Sequence, residues 1–170
     1  MSIRRATPED AVQIARIHWA SWKSTYRDII PEAYLERITV ESRLAHWERQ
    51  IASAELDIQV WTDDAGDVLG WIATGPDRED PSNPNIAEIH AFYIAPHHTG
   101  KGIGRQLLSH TTVQQQSAGR SRIVLWVLER NESAVIFYRQ SGFRKDPIKT
   151  QLIERGGAEL VELKLQRVIA

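Results

Sequence analysis

Residues 94–105, Ile94-Ala-Pro-His-His-Thr-Gly-Lys-Gly-Ile-Gly-Arg105, carry the densest chemical signal in the chain. A strand-like run stops at Pro96, and Gly100, Gly102 and Gly104 lead into a helical pattern. Glycine lets backbone come close to a ligand, and a helix start offers unpaired N–H groups at the positive end of its dipole. Together they form an anion cradle suited to phosphate or pyrophosphate, and Lys101 and Arg105 add charge beside it. A plain tight turn between strand and helix would use the same glycines. Two common phosphate motifs do not fit. The G-x-G-x-x-G spacing reaches Arg105 from Gly100 and Leu107 from Gly102. A P-loop would need glycine where Ala95 stands and Ser or Thr where Gly102 follows Lys101.

Proton-transfer groups come next. On the run 86–95, two-residue alternation puts Glu88 and His90 on one face with Phe92 and Ile94. A glutamate in an apolar strand is costly to bury without a purpose or a partner. That makes Glu88 a candidate base, with His90 as the alternative and a surface-facing strand end as the plain reading. The chain has no cysteine, which excludes disulfides, thiolate metal sites and a cysteine nucleophile. No serine sits in a G-x-S-x-G turn, and none of the six histidines has the H-E-x-x-H spacing, so no metal site is expected.

These groups need elements to hold them. Residues 2–6 read as a short strand. Thr7-Pro-Glu-Asp10 starts a helix whose apolar stripe runs through Ala11, Ile14, Ala15 and His18 to about Lys23. Further helices begin at Pro31 and after Thr39. Residues 57–61 and 68–74 form a hairpin around Asp63–Gly66, and the proline-rich 75–85 is a loop whose acidic Asp77-Arg-Glu-Asp80 reads as solvated. Strand 86–95 precedes the glycine-started helix. The run 123–128 is apolar enough for a central strand covered on both faces. Asn131 caps a helix ending near Gly142. Strands at about 148–153 and 159–167 flank Arg155-Gly-Gly157. The order β-α-α-α-β-β-β-α-β-α-β-β describes one α/β (α+β) domain with a mixed sheet.

Length and charge narrow the partners. A chain of 170 residues suits a single domain, and a net charge of −1 gives no electrostatic footprint for nucleic acid or an anionic membrane. No apolar run is long enough to span a bilayer, and the charges within residues 1–10 argue against an export signal, so a cytoplasmic location is expected.

The sequence resembles the GNAT superfamily of acyl-CoA N-acyltransferases. Residues 3–10 are similar to its first strand and helix, and Phe92–Pro96 with Gly100–Arg105 to its cofactor motif. Leu125–Asn131, Ala134 and Phe137-Tyr138 resemble its next strand and helix, and Gly142-Phe143 closes the match. The resemblance implies a single domain over 1–170, with a sheet of about seven strands flanked by four to five helices. It implies acetyl-CoA as co-substrate, an amine as acceptor, and a homodimer as the assembly.

By the same resemblance, the strand at Phe92, Tyr93 and Ile94 parts from its neighbour to meet the pantetheine arm. The backbone from Gly100 through Lys101, Gly102, Ile103 and Gly104 to Arg105 holds the pyrophosphate. Asn131 reaches toward the cofactor or simply caps its helix, and Tyr138 matches the general acid unless it is a core aromatic. Thr99 stands where the family usually carries Arg or Gln; its hydroxyl could still donate to phosphate. His18, Trp19, Trp22 and Tyr26 gather where the family builds its acceptor wall, and equally suit a core or a dimer contact. The leading expectation is amine N-acetylation by direct attack in a ternary complex. A binding module without chemistry and an unrelated nucleotide-binding domain are the alternatives.

Overall fold

The computed structural model describes residues 1–169. Seven strands form one sheet: β1 Ser2–Arg5, β2 Asp57–Thr62, β3 Val68–Pro76, β4 Ile86–Ile94, β5 Arg122–Leu128, β6 Arg144–Arg155 and β7 Ala158–Val168. Their order is β1-β2-β3-β4-β5-β7-β6, antiparallel throughout except for β4 and β5. Five helices accompany them: α1 Ala11–Thr25, α2 Glu32–Glu36, α3 Val40–Ser53, α4 Ile103–Ser117 and α5 Glu132–Gln140.

The apolar run at 123–128 becomes the central β5, where Ile123, Val124 and Leu125 are almost wholly buried. One face of the sheet packs Ile72, Ile89 and Leu125 against Ile103, Leu107 and Leu108 of α4, with Tyr138 of α5. The other face packs Val60, Trp71 and Ala73 against Ile14, Ile17 and Trp47 of α1 and α3. A third cluster joins α1 and α2 to the β6–β7 hairpin through Ile30, Leu35 and Leu160.

Two boundaries differ from the sequence expectation. The first helix begins as a single 3-10 turn, Pro8–Asp10, because the buried Asp10 carboxylate turns back to accept from the Thr7 amide at 2.7 Å and from Arg4 at 2.7 and 2.9 Å. Strand β6 starts earlier than residue 148. It is an edge strand whose register slips between Lys145 and Thr150, around Pro147, and Ile148 and Leu152 face outward. The slip breaks the alternation over residues 144–150, and only 151–155 alternate between half-buried and exposed.

Two irregularities position the site. Strands β4 and β5 pair only from Ile86–Ile89 against Arg122–Leu125 and then part. Beyond that point β5 continues against β7 and β4 against β3, which leaves a wedge between them. Within β4 the register shifts, since Ala91 faces Ala73 while Ile89 faces Thr74, and His90 is the extra residue of a bulge. Ile89 and Phe92 therefore lie on the α4 face, and Ala91 and Tyr93 on the opposite one. This corrects the expected alternation: Glu88 does not share a face with Phe92 and Ile94.

Candidate active site

A cleft of about 720 Å³ fills the wedge between β4 and β5 and runs from the glycine loop to the β6–β7 hairpin. Its wall on the β4 side is Phe92, Tyr93 and Ile94, on the stretch that has lost its β5 partner. Ser21 of α1 ties this free edge by donating to the Ile94 carbonyl at 3.1 Å.

At the glycine end, Gly100 and Gly102 hold φ of +75° and +85°, a left-handed conformation that side chains strain to adopt, and open space lies where a Cβ would stand. Gly102 is the N-cap of α4 and brings no side-chain cap, so the first amides of the helix face outward unclaimed by one. Thr99, Gly100, Gly102, Gly104 and Arg105 line the cleft. Ile103 is instead a core anchor, 3% exposed, that fixes the helix behind them. Lys101 is exposed and lies outside the lining. The Thr99 hydroxyl donates to the Pro96 carbonyl at 3.0 Å, so its proton holds the turn and is not free for a phosphate. Gly-rich backbone amides with the Arg105 guanidinium beside them suit a pyrophosphate.

In the middle of the cleft lies Tyr138, 8% exposed, packed by Phe137 and Phe143. Burial, with Tyr26 nearby, pushes its phenol well above the usual tyrosine range, so the hydroxyl keeps its proton. Asn131 caps α5 by accepting from the Ala134 amide at 3.3 Å and also lines the cleft.

Glu88 is placed differently from the expectation. Its side chain is fully buried and outside the cleft lining. One carboxylate oxygen takes Nε and Nη2 of Arg78 at 2.5 Å each, and the other accepts the Arg78 amide at 2.8 Å. Arg78 is the one that reaches the cleft. His90, pushed out by the bulge, lines it too, with Nε2 at 2.9 Å from the Pro76 carbonyl. A carbonyl only accepts, so Nε2 is the donor in this contact, and in the neutral imidazole Nδ1 is then the nitrogen with the lone pair.

Asp77 and Glu79 correct the reading of a solvated loop. Asp77 is 3% exposed and pairs with the buried Lys164 of β7 at 3.4 Å; Glu79 also binds Lys164, and Lys149 at 2.9 Å. Those lysines hold Glu79 below the usual carboxylate range. The network fastens the loop carrying Arg78 to the β6–β7 hairpin.

The aromatic cluster of α1 divides. His18 belongs to the core, while Trp22 and Tyr26 line the cleft, and Trp22 Nε1 donates to the Tyr93 hydroxyl at 2.8 Å. Burial raises the Tyr26 phenol, Asn131 opposes it, and Glu162 raises it further. Sequence reasoning passed over Glu162, Arg155 and Arg78. The parity of β7, in which Glu162 shares a face with the buried Leu160, was the signal for the first.

The mixed sheet opens between its two parallel strands beside a glycine-started helix. The pattern of the acetyltransferase (GNAT) family matches residues 13–143, and the chain belongs to that family. It is 29% identical to the uncharacterized N-acetyltransferase YuaI of Bacillus subtilis (strain 168), across 97% of this chain and 91% of YuaI. It is 27% identical to the L-amino acid N-acyltransferase MnaT of Escherichia coli (strain K12), across 84% and 79%. The paiA N-acetyltransferase of Thermoplasma acidophilum, solved in complex with coenzyme A, shares the fold with a TM-score of 0.74 and 23% identity over 98% of each chain.

Proposed function

We propose that this chain transfers an acetyl group from acetyl-CoA to a primary amine by direct attack in a ternary complex. The observation that carries the reading is the wedge between β4 and β5, which leads from the glycine cradle at α4 to the buried Tyr138. The cradle suits the pyrophosphate of coenzyme A, and the unpaired edge of β4 suits its amide-bearing arm. The coenzyme A bound by the paiA relative supports the same choice of carrier.

In this reaction the amine nitrogen forms a bond to the thioester carbonyl carbon and the carbon–sulfur bond breaks. The ammonium form must first lose a proton, and His90 Nδ1 is the acceptor we assign, in place of Glu88, because His90 lines the cleft with a free lone pair. Tyr138 gives its proton to the departing sulfur, and the second proton that the attacking nitrogen sheds on becoming an amide restores the phenol. No covalent enzyme intermediate is invoked, and holding the two reactants side by side supplies much of the rate.

The test is thiol release from acetyl-CoA against a panel of amines. The protein has no cysteine, so every thiol detected comes from the cofactor. Amine-dependent release is expected. Tight acetyl-CoA binding with no amine-dependent thiol would overturn the reading in favour of a binding module.

A further inference from the structure

The end of the cleft away from the glycine loop is built by the β6–β7 hairpin, and its charges follow a simple layout. Gly156 and Gly157 make a two-residue turn with φ of +62° and +82°, which fixes the register Arg155↔Ala158, Ile153↔Leu160 and Gln151↔Glu162. Cross-strand partners point to one face, so Arg155, Ile153 and Glu162 form a row. All three line the cleft. Glu162 also sits opposite Leu128 of β5 in register and acts on Tyr26, which Asn131 contacts and which lies near Tyr138.

The charges are not equivalent. Arg78 reaches the cleft already neutralised by Glu88 on two of its nitrogens. Glu162 accepts from Gln151 Nε2 at 2.7 Å through one oxygen, and no cation pairs with it among the described residues. Arg155 bonds the Glu154 carbonyl through Nη1 at 2.9 Å, and no carboxylate pairs with it among the described residues. The two lie on one wall with the apolar Ile153 between them and form no ion pair with each other. A cation and an anion held apart across an apolar step complement a ligand with the reverse order.

We infer that the acceptor is a small zwitterion, an amine that carries a carboxylate, with its ammonium drawn to Glu162 and its carboxylate bound by the Arg155 guanidinium. A planar guanidinium matches a carboxylate, and charge-assisted bonds of this kind are among the stronger polar contacts. A polyamine would instead set a second ammonium against Arg155. The inference rests on the acetyltransferase reading above and adds the acceptor class.

The experiment measures kcat/KM with acetyl-CoA for three matched acceptors, leucine, leucinamide and isopentylamine, and for spermidine. The same set is then repeated with glycine, alanine and phenylalanine and their amides. For the best amino acid, the amide is expected to be poorer by about tenfold or more. In Arg155→Gln that preference collapses, and Arg155→Lys recovers part of it, with acetyl-CoA affinity as the check on folding. Amides or spermidine matching or exceeding the amino acids would overturn the acceptor class while leaving acetyl transfer intact. So would a preference that survives Arg155→Gln. If acetyl-CoA binds and no amine in the set or the wider panel is acetylated, the acetyltransferase reading falls, and this inference with it.

Discussion

Tyr138 and His90 divide the proton traffic of the proposed reaction by their surroundings. Tyr138 is packed by phenylalanines in a site that raises its phenol, so it holds a proton until strong negative charge develops on a leaving sulfur. Tyr138→Phe keeps the ring and removes the proton. We expect kcat to fall about 100-fold or more, with the acetyl-CoA dissociation constant within about twofold. Steady-state kinetics beside calorimetric titration checks this, and an unchanged kcat would remove the acid role. His90 acts at the other step. His90→Gln should lose most activity where the acceptor is still chiefly ammonium and the wild-type imidazole is neutral, and approach the wild type as rising pH frees the amine. Glu88→Gln should keep the shape of the wild-type pH profile, because its carboxylate holds Arg78 and does not face the acceptor. If Glu88→Gln, and not His90→Gln, reshapes the profile, the two roles are reversed.

At the scale of elements, the start of α4 offers a matched pair of substitutions. Gly102 has φ of +85°, and alanine there is strained by roughly 1–2 kcal/mol. Relaxing that strain turns the first amides of α4 away from the cleft, so Gly102→Ala should weaken acetyl-CoA binding about tenfold. Gly104 has no such φ, and an added methyl meets only the Phe137 and Phe92 rings at 3.6 Å, an ordinary contact. Gly104→Ala should bind within about threefold of wild type, and equal losses in the two variants would mean that bulk, not backbone conformation, sets the effect. The glycine turn before α4 was legible in the sequence because glycine spacing is a local property. So were the hairpin at Asp63–Gly66 and the buried β5, whose composition follows from being covered on both faces. The bulge at His90 was not legible. It arises where β3 and β4 disagree by one residue, and no local pattern in β4 announces a mismatch with a distant strand. The same slip moved Glu88 off the expected face and brought His90 into the cleft. Arg155 was hidden for a related reason: it enters the site through pairing across a hairpin and through parting of β4 from β5, both long-range events, whereas Glu162 had the parity of β7 to point to it.

The whole molecule is sensitive to acid at a point well away from the chemistry. His18 is 6% exposed in the core beneath β3 and β4, stacked on Tyr93 at 4.8 Å and ringed by Trp22, Trp47 and Trp71. Its Nδ1 accepts from Trp47 Nε1 at 2.9 Å, which requires that nitrogen to be unprotonated, and its Nε2 finds no partner. Burial first, then Arg43 and His46, push the imidazole down to about 3. The unfolded chain takes up a proton at His18 near pH 6.5 and the native chain refuses it. Stability from this group is therefore complete above that value and declines as pH falls toward 3, at about 1.4 kcal/mol per pH unit. Between pH 7 and pH 5 the share is about 2 kcal/mol, enough to be read against the 5–15 kcal/mol typical of a domain. His18→Gln removes the titration and leaves every other ionisable group in place. We expect urea unfolding of the variant to lose less stability than the wild type over that interval, by about 2 kcal/mol, whatever its stability at pH 7. Parallel pH dependence in the two proteins would place the acid sensitivity elsewhere, with the Asp10 carboxylate that ties β1 to the first turn the next group to test.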